Sequence, residues 1–212
     1  EGVKFHNGAD FTADDVVTTF DMVTDPEYGT RYAIYVDWID SVEKTDDYTV
    51  RINMSKPFAG ALEMLADALP IYPHEFFAEN GSEGITRTPI GTGPYKLVSQ
   101  EPGVRYELEK FEDYYPEGPK AGASIGKIVV RTIPELNTQY AELMSGNLDW
   151  IWRIPPDQAS RLESRVQVIS APIMRIAYVG FAPLALDAES PIAKQEVRQA
   201  LIHAVNREAI TK

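Results

Sequence analysis

The order of apolar and polar residues divides the chain into short elements. Residues 1–5 read as a strand. Val16, Val17, Phe20 and Val23 recur at helical spacing and predict an amphipathic helix over 13–24. Thr12, three residues before Asp15, supplies a capping-box-like start with an acid near the positive end of the helix dipole. Asp25-Pro26 stops that helix. Residues 39–44 and 48–54 read as strands around the polar turn Thr45-Asp46-Asp47. In the second, Tyr48, Val50, Ile52 and Met54 alternate with polar residues, as in a half-buried strand. A short apolar helix over 59–68 and an extended, Pro-bounded stretch over 69–73 follow. Glycines at 81, 84, 91 and 93, with Pro89, mark 80–93 as a linker.

Beyond it, Tyr95, Leu97, Val104, Tyr106 and Leu108 predict a hairpin turning at Pro102-Gly103, and 111–126 reads as a loop. A strand over 127–133 leads to a helix over 134–145, with Leu136, Tyr140, Leu143 and Met144 inward and Gly146 past its end. A strand over 148–151, a helix over 156–164 and strands near 166–170 and 173–181 complete an alternation that predicts an α/β unit with some parallel pairing. The last helix, 197–212, places Ala200, Leu201, Ala204, Val205 and Ile210 on one side and has no Gly or Pro stop. A chain that opens in a strand and closes in an uncapped helix is expected to be a piece of a longer protein.

Composition narrows the function. Acidic residues outnumber basic ones 32 to 20 in the 212 residues, for a net charge of −12. That charge argues against a nucleic-acid partner and against an anionic membrane surface. No apolar run is long enough to insert in a membrane. There is no cysteine, which excludes disulfides and thiolate metal sites, and the three histidines are scattered. Gly91-Thr92-Gly93-Pro94 lacks a third glycine and precedes a strand, so it reads as a tight turn rather than a dinucleotide site. Asp14-Asp15 reads as a helix start, Asp46-Asp47 as a turn, and Glu107 and Glu109 as a solvated strand face. No catalytic group, metal site or cofactor is expected.

The aromatic residues say more. Trp150 and Trp152 flank Ile151 and, in a strand, share one face. They make either a core face or the aromatic wall of a ligand cleft, where rigid side chains supply contact area at little entropic cost. Arg153 beside them either meets a carboxylate or stays in solvent. Tyr32 and Tyr35 pose the same choice between cleft and core.

The stretch VKFHNGADFTADDVVTTF at 3–20 resembles the signature of extracytoplasmic solute-binding proteins of family 5, the peptide, oligopeptide and nickel class that serves ABC importers. IGTGPYKL at 90–97, RTIPELNTQYAELMSGNLDW at 131–150 and VRQALIHAVNREAI at 197–210 resemble three further blocks of that family, in order. Two positions depart from its pattern: Gln139 stands where an Arg is common, and Ala182 follows Phe181 where an Asn is usual.

The resemblance implies an α/β, periplasmic-binding-protein-like (type II) fold: lobe one with an inserted α+β subdomain, truncated at both ends and lacking the first strands and most of lobe two. Residues 1–88 would be the extra subdomain, 89–178 the α/β part of lobe one, and 179–212 the hinge crossing and start of lobe two. It implies a non-enzymatic carrier that captures a peptide or other small solute outside the cytoplasm, free or lipid-anchored, and delivers it to ABC permease subunits. A regulator's ligand-sensing domain, a peptide hydrolase, and a carrier of an opine, sugar or metal chelate are the alternatives. Matched segments carry cleft-lining roles to Arg31, Tyr32 and Tyr35, to Leu69 and Ile71, to Trp150, Trp152 and Arg153, and to Arg175, Tyr178 and Phe181. Ile71 stands where a nickel-chelate relative has an Arg, which argues against an anionic chelate as ligand.

Overall fold

A computed structural model describes residues 1–25, 33–171, 178–181 and 190–210. The chain forms two compact units, Glu1–Trp150 and Ile151–Lys212.

The first unit opens with a loop closed by one bridge, Lys4 to Asp10, in place of the expected strand. Helix α1 covers Ala13–Thr24, as its spacing predicts. A short helix α2, Ala33–Val36, leads into strands β1, Ile39–Asp46, and β2, Thr49–Met54. These pair antiparallel, with Val42 opposite Ile52. Phe20 of α1 is buried with Val36, Trp38, Ile39 and Val42, and Val16, Val17, Val23, Val50, Ile52 and Phe58 pack around them. This cluster is why α1 lies on the hairpin: its apolar stripe and the inward face of β1 are two halves of one core. Trp38 stacks on Phe58 with ring centroids 5.5 Å apart, and its indole N–H donates to the Tyr35 carbonyl at 2.8 Å.

Helix α3 spans Ala61–Ala68 and α4 spans His74–Arg87. The second corrects the expected linker, most of which is helix. Gly81 interrupts it, as a non-helical residue that separates two helical stretches across a kink. Gly81 takes a φ of 62°, a conformation that costs glycine little. A Cβ on Gly84 would come 2.3 Å from the Asn80 Cβ, so the close approach there also needs glycine.

Strands β3 (Tyr95–Glu101), β4 (Arg105–Lys110) and β5 (Lys127–Arg131) form an antiparallel sheet in that order, and Gly103 turns the first hairpin with a φ of 76°. Helix α5, Leu136–Met144, is tied back by Gln139, whose amide donates to the Ile133 carbonyl at 2.6 Å, and by an Arg131–Glu142 ion pair at 2.9 Å. Residues 148–151 and 166–170 form no strand, and every strand ladder among the described residues is antiparallel. A strand exists only where a neighbour accepts its ladder, so apolar alternation there gives extended chain and no sheet. Most of the expected strand over 173–181 lies outside the described residues.

The second unit holds α6, Pro156–Leu162, a 3-10 turn at Pro191–Ala193, α7, Gln195–Ala204, and α8, Arg207–Ile210. The single C-terminal helix expected from sequence is thus two. Asn206 breaks it, because its side-chain oxygen accepts the Ala209 N–H at 3.0 Å and starts a new turn as an N-cap.

Two of the sequence blocks meet inside the first unit. The His6 backbone N–H donates to the Gly91 carbonyl at 2.9 Å. The imidazole Nδ1 accepts the Gly91 N–H at 3.2 Å, so Nε2 carries the proton and donates to the Gly93 carbonyl at 3.0 Å. Phe111 packs edge-on against the ring at 5.0 Å. Burial pushes the His6 pKa below its ordinary 6.5; the bond to Gly93 opposes that shift, and Lys96 adds to it.

Phe20→Ala is expected to destabilise the chain by about 3–5 kcal/mol in urea unfolding, and the exposed Tyr48→Ala by no more than about 0.5 kcal/mol. His6 adds a pH dependence. Unfolded His6 takes a proton more readily than folded His6, so its contribution is complete above pH 6.5 and is lost as pH falls through the lowered folded value. Urea unfolding across that range is expected to show a steeper acid loss for the wild type than for His6→Gln; equal slopes would refute the role.

Candidate ligand-binding site

The site is built outward from α1. At its first turn the Asp15 carboxylate accepts the Thr12 N–H at 2.7 Å and the Thr12 hydroxyl at 3.2 Å, the half of the capping box visible in the sequence. Its other oxygen accepts the backbone N–H of His74 at 2.8 Å and the His74 Nδ1–H at 2.8 Å. One turn along, the Thr19 hydroxyl oxygen accepts the Tyr72 N–H at 2.9 Å. Asp15 and Thr19 are each only 1% exposed. On the outer side, Lys44 bridges Asp14 at 2.8 Å and Asp47 at 3.0 Å, and its hydrogen bond holds the Asp14 carboxyl below the usual range. The helix start is therefore tied to the β1–β2 turn on one side and to residues 72–74 on the other.

That second tie fixes the stretch over 69–73, which belongs to no helix or strand. Leu69 and Ile71 pack against the core cluster and are half-buried. Pro70, between them, is exposed, and Tyr72 is half-buried. The side chains named from sequence at 69 and 71 thus turn toward the core.

The other expected residues divide between the units. Tyr35 is half-buried at the end of α2, next to the core residue Val36. Trp150, in the first unit, is 70% exposed. In the second unit Trp152 is 64% and Tyr178 85% exposed, Arg153 is exposed, and Phe181 is half-buried. Arg31, Tyr32 and Arg175 lie outside the described residues. No strand runs through 150–153, so the shared face expected for the two indoles has no ladder to impose it. Arg153 instead takes a φ of 63°, the positive value shown by a non-glycine residue among those described. Leu69 and Ile71 are the expected residues that the structure brings together, in one core.

Asp15, Thr19 and His6 were missed as organising residues. Asp15 was legible only as a helix start, because its second partner lies 59 residues away and no local pattern announces it. A groove of about 320 Å³ beside the 111–126 loop is lined in part by Pro94, Phe111, Tyr114 and Lys120, and by none of the residues named from sequence. Among the described residues no three His, Asp or Glu side chains gather to hold a metal, and no helix is long and apolar enough to cross a membrane.

Residues 1–212 match the model of the bacterial extracellular solute-binding proteins, family 5 Middle. The glutathione-binding protein GsiB of Escherichia coli (strain K12) is 30% identical over 216 residues, an alignment covering all of this chain and 40% of that protein. The chain therefore spans about two fifths of the length of the curated relatives it matches. Among solved structures, NikZ from Campylobacter jejuni in complex with Ni(L-His) superimposes with a TM-score of 0.62 at 26% identity, over 70% of this chain and 29% of that one. The oligopeptide-binding protein AppA from Bacillus subtilis in complex with a nonapeptide gives 0.59 at 28%, over 69% and 30%. The α/β architecture is that of the periplasmic binding proteins, and the chain belongs to the bacterial extracellular solute-binding proteins of family 5.

Proposed function

We propose that this chain is part of the solute-binding component of an ABC importer, which captures peptides or similar small solutes outside the cytoplasm and delivers them to permease subunits in the membrane. Membership of family 5 along all 212 residues carries the reading. The names of GsiB, a glutathione-binding protein, and of AppA, complexed with a nonapeptide, support a peptide as the solute class.

In this reading residues 1–88 form the extra subdomain of lobe one, 89–178 its α/β part, and 179–212 the hinge crossing and start of lobe two. The bonds from His6 to Gly91 and Gly93 support placing residues 1–88 and 89–150 in one lobe. Closure of two lobes needs contacts that are better in the closed state than in the open one, and no covalent step. Trp150, Trp152 and Tyr178 have the exposure a ligand wall requires before it is covered. The left-handed backbone of Arg153 is a strained feature of the kind that collects at binding sites, and its guanidinium suits a peptide carboxylate. The matched segments give cleft-lining roles to Arg31, Tyr32 and Tyr35, and to Arg175 and Phe181, as well. Leu69 and Ile71 act on the 69–73 stretch from behind, by seating it on the core.

Native mass spectrometry of the protein at its natural length, purified gently from its host, is expected to show a ladder of short-peptide masses. A single non-peptide mass, such as a metal chelate, would keep the carrier and overturn the peptide. Trp152→Ala and Arg153→Ala are each expected to weaken peptide binding about tenfold in calorimetry. Unchanged affinity in both would remove the 150–153 run from the wall.

A further inference from the structure

We infer that Thr19 and Asp15 are positioning residues for solute capture: from inside α1 they hold the backbone at Tyr72 and His74, and so set the pose of the 69–73 stretch against the solute. The inference rests on the proposed function, in that the stretch must border the ligand.

A helix gains nothing by burying polar side chains unless they are hydrogen-bonded, since each unpaired one forfeits its water. Helix α1 nevertheless buries two, one turn apart, in a face otherwise made of Ala13, Phe20 and half-buried valines. Their partners explain them. Thr19 accepts from Tyr72, 53 residues away, and Asp15 accepts twice from His74, 59 residues away. Pro70 and Pro73 lack an N–H, so Ile71, Tyr72 and His74 carry the only backbone donors from 70 to 74. Two of those three donate to α1 side chains.

No strand ladder holds this stretch, so Thr19 and Asp15 do what a neighbouring strand would do. The prolines restrict the backbone further, with Pro73 at φ −67°. Leu69 and Ile71 fill the core side, which leaves the exposed Pro70 and the half-buried Tyr72 as the side chains the stretch can offer outward. A wall held this way meets its ligand already ordered, and ordering on binding is a cost that weakens affinity.

The test uses the protein at its natural length with two probes, reduced glutathione and an oligopeptide mixture of two to nine residues. Thr19→Val keeps the shape and removes the acceptor; Thr19→Ser restores it. Thr19→Val is expected to speed hydrogen exchange at the Tyr72 amide and to raise the Kd and dissociation rate of the bound probe about two- to tenfold. Thr19→Ser is expected to return both to wild type. Asp15→Asn, which weakens the acceptor at His74, is expected to act in the same direction wherever it folds. Faster Tyr72 exchange with unchanged Kd, measured well below the melting temperature of each variant, would overturn the positioning role and leave a structural one. A wild type that binds neither probe would overturn the peptide reading, and the inference with it. Unchanged Tyr72 exchange in Thr19→Val would refute the clamp itself, whatever the ligand.

Discussion

A carboxylate that is almost wholly out of water must have its lone pairs filled by protein donors, and Asp15 is in that position. Local chain can supply part of the demand, through the N–H and hydroxyl of Thr12. The remainder comes from His74, at the start of α4. Satisfying one side chain therefore brings together the start of α1 and the start of α4, and the 69–73 stretch between α3 and α4 has to fit that span. The far end of α4 feeds the turn at 91–93, which His6 grips from the opening loop. Much of the first unit's long-range geometry follows from two polar side chains near its beginning.

Energy and geometry come from different residues here. Burial of Phe20, Trp38, Ile39 and Val42 supplies the driving force, because apolar area removed from water is the dominant favourable term. That force is indifferent to register: α1 could rotate by some degrees and still bury valines. Asp15 and Thr19 are not indifferent, since their bonds exist only at one rotation and one depth. The exposed pairs, such as Lys56–Asp37 and Lys4–Asp10, add little to either, as ion pairs in water are screened and entropically costly.

Elements with a local cause were legible in the sequence. Helix α1 has an apolar stripe, a cap and a Pro stop, and it was read to the residue; β2 has strict alternation and β3–β4 a glycine turn. Elements whose cause lies elsewhere were not. Of the glycines in α4, Gly81 does interrupt the helix, but Gly84 looks like a breaker only until its packing on Asn80 is known. The run at 148–151 has strand-like alternation, yet no ladder forms there, and nothing within five residues can announce that. The site divides in the same way. The indoles at 150 and 152 were legible as aromatic residues flanking Ile151, and they are exposed. Leu69 and Ile71 carry cleft roles by a segment match, yet both pack on the core cluster, and a segment match does not say which side chains of a stretch face the core.

Such a fold can change ligand without changing shape. Where a wall's backbone is held by its own ladder, every substitution along it also disturbs the sheet. The 69–73 stretch is held instead from behind, by α1 side chains acting on its N–H groups and by Leu69 and Ile71 in the core. Its outward side chains are then free to vary, because the bonds that fix the backbone do not involve them. Function in a shared fold resides in side chains grafted on a fixed frame. In this chain the frame is set by Asp15 and Thr19, so under the proposed function a change of solute preference would be made at Pro70 or Tyr72 while those two residues stay as they are.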